Sequence, residues 1–300
     1  MIIGLACHNS DWNGAQHKVF KEIMAGAEAL GHQVLVCVPP ADGLESCDVL
    51  FAWNTARREW WHEIRNKTIA DGKKFFTMER GWFDRMDYTQ IDHEGFNHTA
   101  SWAHQVSGPA PIDGPERFRM LSELLTPRLP VVARDGGYAL ILGQTGSDTQ
   151  LRQSEIHHPD TLCASVLANL PGGLEAKYRR HPLSKVEPDG IESLDGSLDD
   201  ALAGARFVIT INSNAGNDAL WAGVPVLCLG PALYEIAGAA RRTSVATLLP
   251  DMEFMCQGWH PDEKRVLSYF HWLASRQWNR QELEQGDCLK QLIGVCDGQD

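Results

Sequence analysis

Residues 207–234 read FVITINSNAGNDALWAGVPVLCLGPALY, and this stretch decides the fold. An apolar, β-branched run at 207–211 ends in a small polar cluster, NSNAG at 212–216. Helix formers follow at 217–222, then a second apolar run at 224–229. The order is strand, polar turn, short helix, strand, the repeating unit of a parallel α/β sheet. Open sheets of this kind bind ligands beyond the carboxyl ends of their strands. The first N–H groups of a helix have no intrahelical acceptor, so such a turn suits an anion, phosphate above all. Ser213 and Asn214 are good N-cap residues. Gly216 admits close approach of a ligand to the backbone, and Asp218 enters the helix beside it. The same pattern also describes an ordinary capped helix in a parallel sheet.

Outward from this stretch, strand-like runs at 2–7, 33–38, 47–53 and 74–78 alternate with helical segments. The first helix, 15–30, closes at Gly31 and follows a polar loop that contains Asn13 and Gly14. Segment 79–130 breaks the rhythm; rich in Trp, His, Asp and Pro, it reads mostly as loop, and 129–137 (LPVVARDGG) reads as a linker. Alternation resumes with a strand at 138–143, a helix at 159–169, a strand at 176–179 and a helix at 198–203. From residue 261 the pattern is helical, with one helix at 263–276 and another at 281–295. The expectation is an α/β chain of two Rossmann-like domains, 1–134 and 135–260, facing a central cleft where ligands bind. Helices in 261–300 would pack back across it.

Three hundred residues suffice for two cores. The net charge of −12 weakens any claim of broad nucleic-acid affinity, which rests on neutralising phosphates. One local exception is RREWWHEIRNK at 57–67, with Lys73 and Lys74 beyond it, where basic and aromatic residues interleave. An amphipathic helix with buried Trp and solvated Arg has the same spacing. Eight cysteines without a C-x-x-C pair point to a reducing cytoplasm, not to a disulfide framework or zinc site. No apolar run approaches the ~20 residues of a membrane helix. The opening MIIGLAC lacks a basic leader and reads as a buried strand. Asp199 and Asp200 sit at a helix start, where carboxylates suit the dipole, and read as structural.

Four blocks in order carry a family likeness: MERGWF at 78–83; DHEGFNHTAS at 92–101; LGQTGSDTQ at 142–150 with RRHP at 179–182; and the opening stretch. The last matches T-I-N-S-x-x-G-x-x-A-L, then G-x-P-V, L-G and Tyr. Together they resemble the capsule polysaccharide synthesis family, which contains bacterial Kdo transferases of the GT-B fold. The compact length is similar to that of phage-encoded members. The resemblance spans 78–234 and leaves both ends of the chain unassigned.

The resemblance implies transfer of a sugar from a UDP- or CMP-linked donor to an acceptor hydroxyl, with no metal and no further cofactor. It assigns Ser213, Asn214 and Gly216 to the donor phosphate, joined by Arg180 and His181. Asp218 stands where the family carries Glu, so its reach to the ribose is a methylene short. Gln144, Asp148 and Gln150 would line the donor side, or form a polar turn. On the acceptor side Glu79 is the expected base, beside Trp82 and Phe83, with an ion pair to Arg80 or Arg85 as the structural alternative. Asp92 is the alternative base. Arg80, Trp82, Asn97, Asn13 and Gly14 would contact the acceptor.

Compact size, the Arg/Trp segment and ten tryptophans tip the acceptor toward a 5-hydroxymethylpyrimidine, such as 5-hydroxymethylcytosine, in bacteriophage DNA. The acidic balance opposes this. A capsule polysaccharide or lipid-linked glycan is the alternative acceptor. A sugar-nucleotide 2-epimerase and a non-catalytic two-lobed sensor are competing functions for the same architecture. In every case the chain is expected in the cytoplasm of a bacterial or phage-infected cell, without stable membrane insertion.

Overall fold

Short apolar strands alternating with amphipathic helices produce two sheets, each with its own core. The computed structural model describes residues 1–7, 16–38, 44–54 and 60–294, with backbone only for Gln16, His17 and Trp60. The chain divides into two compact units, residues 1–101 with 276–300, and residues 102–275.

The first unit begins β1 (Ile2–Ala6), α1 (Gln16–Ala29), β2 (Gln33–Cys37), β3 (Val49–Trp53), α2 (Trp60–Ala70), β4 (Lys74–Arg80) and β5 (Thr89–Asp92). The second contains α3 (Gly114–Ser122), β6 (Tyr138–Leu142), α4 (Pro159–Ala168), β7 (Ala176–Arg179), β8 (Glu192–Ser193), α5 (Leu198–Ala203) and β9 (Ala205–Thr210). It continues with α6 (Ala215–Trp221), β10 (Val226–Cys228), α7 (Leu233–Ile236), β11 (Arg241–Arg242), α8 (Leu248–Cys256) and α9 (Glu263–Ser275). The chain then returns to the first unit through β12 (Gln277–Trp278), α10 (Arg280–Glu284) and α11 (Asp287–Ile293).

The first sheet runs β2-β1-β3-β4-β5-β12. Its first four strands are parallel, and β5 and β12 are antiparallel additions at one edge. The second sheet, β8-β7-β6-β9-β10-β11, is parallel throughout. Each sheet reverses its direction of growth once, between β1 and β3 in the first and between β6 and β9 in the second. At such a switch point neighbouring connections diverge and leave a crevice at the carboxyl ends of the strands. The two cores are built from Leu5, Phe20, Phe51 and Met78 in the first unit, and from Ile141, Tyr178, Phe207 and Ile209 in the second.

The division falls at 101/102 and 275/276, not at the expected 134/135, because 102–134 packs on the second sheet's helices. Phe118 of α3 lies against Trp221, Phe270 and His271, and Arg117 Nε donates to the Ala274 carbonyl at 3.0 Å. Segment 129–137 is no linker between halves. The Arg134 guanidinium donates to the carbonyls of Leu202, Ala205 and Ala222 at 2.9–3.2 Å, and Leu129 N–H donates to Trp221 O at 2.9 Å. The C-terminal helices also divide. The helix expected at 281–295 breaks at Gly286, whose φ of 76° ends one helix and opens the next. Among the described residues, no helix is long and apolar enough to cross a membrane.

Helix α10 joins the first unit by close approach to α1. A Cβ on Gly26 would strike the Leu283 carbonyl oxygen and the Gly286 backbone. Backbone cannot yield as a side-chain tip can, so Gly26→Ala is expected to lower stability by about 1–3 kcal/mol. A urea melt, with the slope unchanged and the midpoint reduced, checks this.

Candidate active site

Gln144 and Asn212 meet at the switch point of the second sheet, where β6 and β9 release their chains. Both are buried, and they exchange amide bonds: Asn212 N–H donates to Gln144 Oε1, and Gln144 Nε2 donates to Asn212 Oδ1, each at 3.0 Å. Asn212 Nδ2 reaches onward to the carbonyls of Gln150 and Pro231 at 2.7 and 3.2 Å. Asp148 accepts from Gln144 Nε2 at 3.2 Å and from Gln150 N–H at 3.0 Å, capping the turn at 149–153. Gln144 and Asp148 therefore come together in a polar turn that frames the crevice. Asn212, quoted within the motif yet given no role from sequence, is the residue on which this frame converges. Two further hydroxyls nearby, Ser154 Oγ and Tyr178 OH, are buried without a hydrogen-bond partner. Gly143 is required beside Tyr178, since a Cβ there would run into the phenol oxygen.

The turn after β9 differs from expectation in a way that matters for anion binding. Four of its N–H groups are engaged. Ser213 N–H donates to Thr210 Oγ1 at 3.3 Å, and Ala215 N–H to Ser213 Oγ at 3.2 Å. Gly216 N–H donates to Ser213 O and Asn217 N–H to Asn214 O, both at 2.9 Å. The Asn214 side chain makes no cap bond. Gly216 does leave space, but Tyr234 fills it: a Cβ on Gly216 would lie 2.8–2.9 Å from the phenol ring. The Tyr234 hydroxyl donates to Ser213 O at 3.1 Å, and burial pushes its pKa well up, which keeps it a donor. Asn217 Oδ1 accepts from Tyr269 OH at 2.7 Å, fixing α6 on α9. Asp218 sits half-buried in the first turn of α6.

Arg180 and His181 follow β7, two strands from β9 in the same sheet. Arg180 Nε pairs with Glu187 at 2.9 Å, and its Nη1 donates to Ser184 O at 2.9 Å. His181 Nδ1 accepts from Leu183 N–H at 3.1 Å, which leaves Nε2 to carry the proton of the neutral ring.

In the first unit Glu79 lies half-buried near the carboxyl end of β4. Asn54 Nδ2 donates to Glu79 Oε2 at 2.9 Å, and Arg80 N–H donates to Oε1 at 2.8 Å. Asn54 follows β3, at the first sheet's switch point, and has a φ of 44°, a left-handed conformation that Asn tolerates better than most residues. Its own N–H donates to Met78 O at 2.9 Å, while its Oδ1 is buried without a partner. Sequence gave no signal for Asn54 beyond its place after a strand. The Arg80 guanidinium turns to Arg85 O at 3.1 Å and Met86 Sδ at 3.0 Å.

Asp92 is a structural carboxylate. It is 7% exposed, and Oδ1 accepts from the N–H groups of Glu94, Gly95 and Ser101 at 2.8–3.1 Å, while Oδ2 accepts from Ser101 Oγ at 2.6 Å. Four donors saturate it and tie the 93–101 loop to β5. Asn97 shares this loop at a φ of 54°, accepting at 3.5 Å from Gln90. Trp82 is buried against Phe83 with its N–H on Gln277 Oε1 at 2.8 Å. It is framework, not an exposed platform. The same holds for Trp61, Trp102, Trp221, Trp272 and Trp278, all only 5–7% exposed. Asn13, Gly14, Arg57 and Arg58 lie outside the described residues. Asp200 closes a capping box with Ser197. Among the described residues, no group of three His, Cys, Asp or Glu side chains is arranged to hold a metal ion.

Residues 157–250 match the family model described as capsule polysaccharide biosynthesis protein. Among curated proteins none matches the chain significantly. Two solved structures share its fold. The β-Kdo 2,7-transferase of Thermosulfurimonas dismutans KpsC aligns over 97% of this chain and all of its own, with a TM-score of 0.61 at 15% identity. The β-Kdo 2,4-transferase of the same KpsC aligns over 93% and 92%, with a TM-score of 0.59 at 13% identity.

The amide frame makes a stability prediction. Asn212→Ala strips donors from the Gln150 and Pro231 carbonyls and takes one acceptor, Asn212 Oδ1, from buried Gln144 Nε2. A loss of about 2–3 kcal/mol is expected from leaving such groups unsatisfied, read from the denaturant midpoint.

Proposed function

We propose that this chain, similar to the capsule polysaccharide biosynthesis family through its second sheet and to Kdo transferases in its fold, is a glycosyltransferase using a nucleotide-sugar donor. One observation carries the reading. The family match at 157–250 includes Arg180, His181 and the 212–218 turn, and these residues stand at the carboxyl ends of β7 and β9. In a parallel sheet that is the ligand-binding edge.

In the proposed reaction the acceptor oxygen bonds to the anomeric carbon, and the bond from that carbon to the donor phosphate breaks. The acceptor proton passes to Glu79, and the bonding electrons leave with the phosphate. Arg180 and His181 stabilise the charge gained there. A phosphate oxygen would replace Ser213 Oγ as acceptor for the Ala215 N–H. Asn54 holds the Glu79 carboxylate in one orientation, and Asp218 would serve the ribose.

The acceptor we propose is a saccharide hydroxyl, in keeping with the family description. A DNA 5-hydroxymethylpyrimidine drew its support from compact size, the Arg/Trp segment and tryptophans as stacking platforms, and among the described residues six tryptophans are in the cores. Buried rings stabilise the fold and cannot receive an extruded base.

Intact-mass analysis tests both levels. The protein is given UDP- and CMP-sugars with glycan acceptors, hydroxymethylated oligonucleotides or no acceptor. A sugar-sized gain on the glycan is expected. Gain on the oligonucleotide alone would restore the DNA acceptor. Interconversion of the donor without acceptor would make the protein an epimerase, and binding without any turnover would make it a sensor. Glu79→Gln is expected to lower turnover by roughly 10²–10⁴-fold, the usual worth of a general base. Asp92→Asn, able to keep the loop's N–H bonds, should retain activity within a few-fold.

A further inference from the structure

A cavity of about 490 Å³ opens in the first unit at the amino end of β4, the opposite end of that strand from Glu79. Five residues separate Lys74 from Glu79, about 16 Å along an extended strand. The volume is in the range of small-molecule sites. Its cations are Lys73, Lys74 and Arg276, and its apolar surface comes from Ile69, Phe76 and Leu292. His93 also borders it.

Two features distinguish this cavity from a chance hollow. The chain carries a net charge of −12, yet among the described residues no carboxylate lines the cavity. On the rim, Glu94 lies 4.0 Å from His93 Nε2 with its side chain more than half exposed. The lysines are also positioned without being neutralised. Lys74 Nζ donates to Ile293 O at 2.9 Å, and Lys73 Nζ donates to Glu45 O. A carbonyl fixes an ammonium while leaving its full charge and two of its three N–H donors for a ligand. Lys74 stands at the end of a core strand, whose neighbours Phe75 and Phe76 are buried, so its root is rigid.

We propose that this cavity binds an organic phosphate, with the dianion at Lys73, Lys74 and Arg276 and the apolar body of the ligand against Ile69, Phe76 and Leu292. Adjacent cations favour a doubly charged phosphate over a single carboxylate, and charge-assisted bonds to it are the strong class. The apolar wall favours an ester carrying a hydrophobic group over the bare ion. The site is separate from the glycosyl-transfer reading and stands or falls without it.

Calorimetric titration of the whole chain with 1-naphthyl phosphate tests this. Saturable binding is expected, weakening as salt is raised, with inorganic phosphate binding less tightly. Lys73→Gln/Lys74→Gln should raise the dissociation constant by about tenfold or more. Lys73→Gln alone, at a half-buried side chain bonded to a backbone carbonyl, should raise it a few-fold and guards against misfolding of the double variant. His181→Ala should bind the probe as the wild type does. Cosedimentation with phosphatidylcholine vesicles containing phosphatidic acid, lost in the lysine variants, would identify a lipid headgroup as the source. Binding of the soluble probe without cosedimentation would identify a free phosphate ester. Either result supports the site. Absence of both, unchanged binding in lysine variants with a native melt, or loss of binding in His181→Ala instead, would overturn it.

Discussion

The reciprocal amide pair of Gln144 and Asn212 is the constraint on which the second unit's ligand-binding edge depends. A parallel sheet that changes direction opens a crevice between two diverging connections. Something must hold those connections in register without filling the crevice. The Asn212 N–H and both side-chain amides do this across β6 and β9, and Asn212 Nδ2 extends the hold to the chain at Gln150 and Pro231. Each bond contributes only about 1 kcal/mol net, but a buried amide left unpaired costs about 1–3. The network is therefore closer to all-or-none than its individual bonds suggest. Residues that look like ligand contacts in the sequence act first as the frame that keeps a ligand site open.

The first unit solves the equivalent problem with a different chemistry. Its switch point ends β3 in Asn54, which accepts a left-handed backbone to direct Nδ2 at Glu79. A non-glycine residue there costs of order 1–2 kcal/mol, partly relieved for Asn. The strain is consistent with a requirement to fix one carboxylate rotamer. On the proposed reading, the second unit offers neutral amides and a cation at its strand ends, and the first offers an oriented carboxylate. Anion stabilisation and proton acceptance need those two sets respectively.

Much of this was legible from pattern. Strands β1–β4, β6, β7, β9 and β10 and helix α5 fall where apolar runs and caps place them, because β-branched runs buried on both faces have few other uses, whereas the short polar edge strands β8 and β11 carry no such signal. Segment 79–130 was not. Strand β5, TQID, has no apolar alternation; it is a strand because β4 and β12 pair with it on either side, and β12 arrives from the far end of the chain. Likewise α3 joins the second unit through α9 and Trp221 of α6, pairings that no local window contains. In the site, residue types were readable but their occupancy was not. Ser213, Gly216 and Asp92 all carry the right chemistry for a ligand, yet Tyr234 fills the space beside Gly216 and a loop saturates Asp92. Tryptophan count misled for the same reason: composition does not distinguish a ring in the core from one on a surface.

The engaged turn after β9 also bears on where donor affinity would come from. Replacing Ser213 Oγ by a phosphate oxygen on the Ala215 N–H exchanges one acceptor for another, so the gain is the difference between a neutral and a charge-assisted bond. That difference is about 1 kcal/mol, too little to hold a nucleotide sugar. The main electrostatic contribution would therefore fall to Arg180. Its ion pair with Glu187 is two-fifths exposed on the arginine side and more so on the glutamate. Pairs of that kind are worth about 0–1 kcal/mol, so redirecting the guanidinium to a phosphate sacrifices little. On the proposed reading, the turn supplies geometry and the chain after β7 supplies charge. This explains why the family likeness extends back to Arg-Arg-His-Pro and does not stop at the turn.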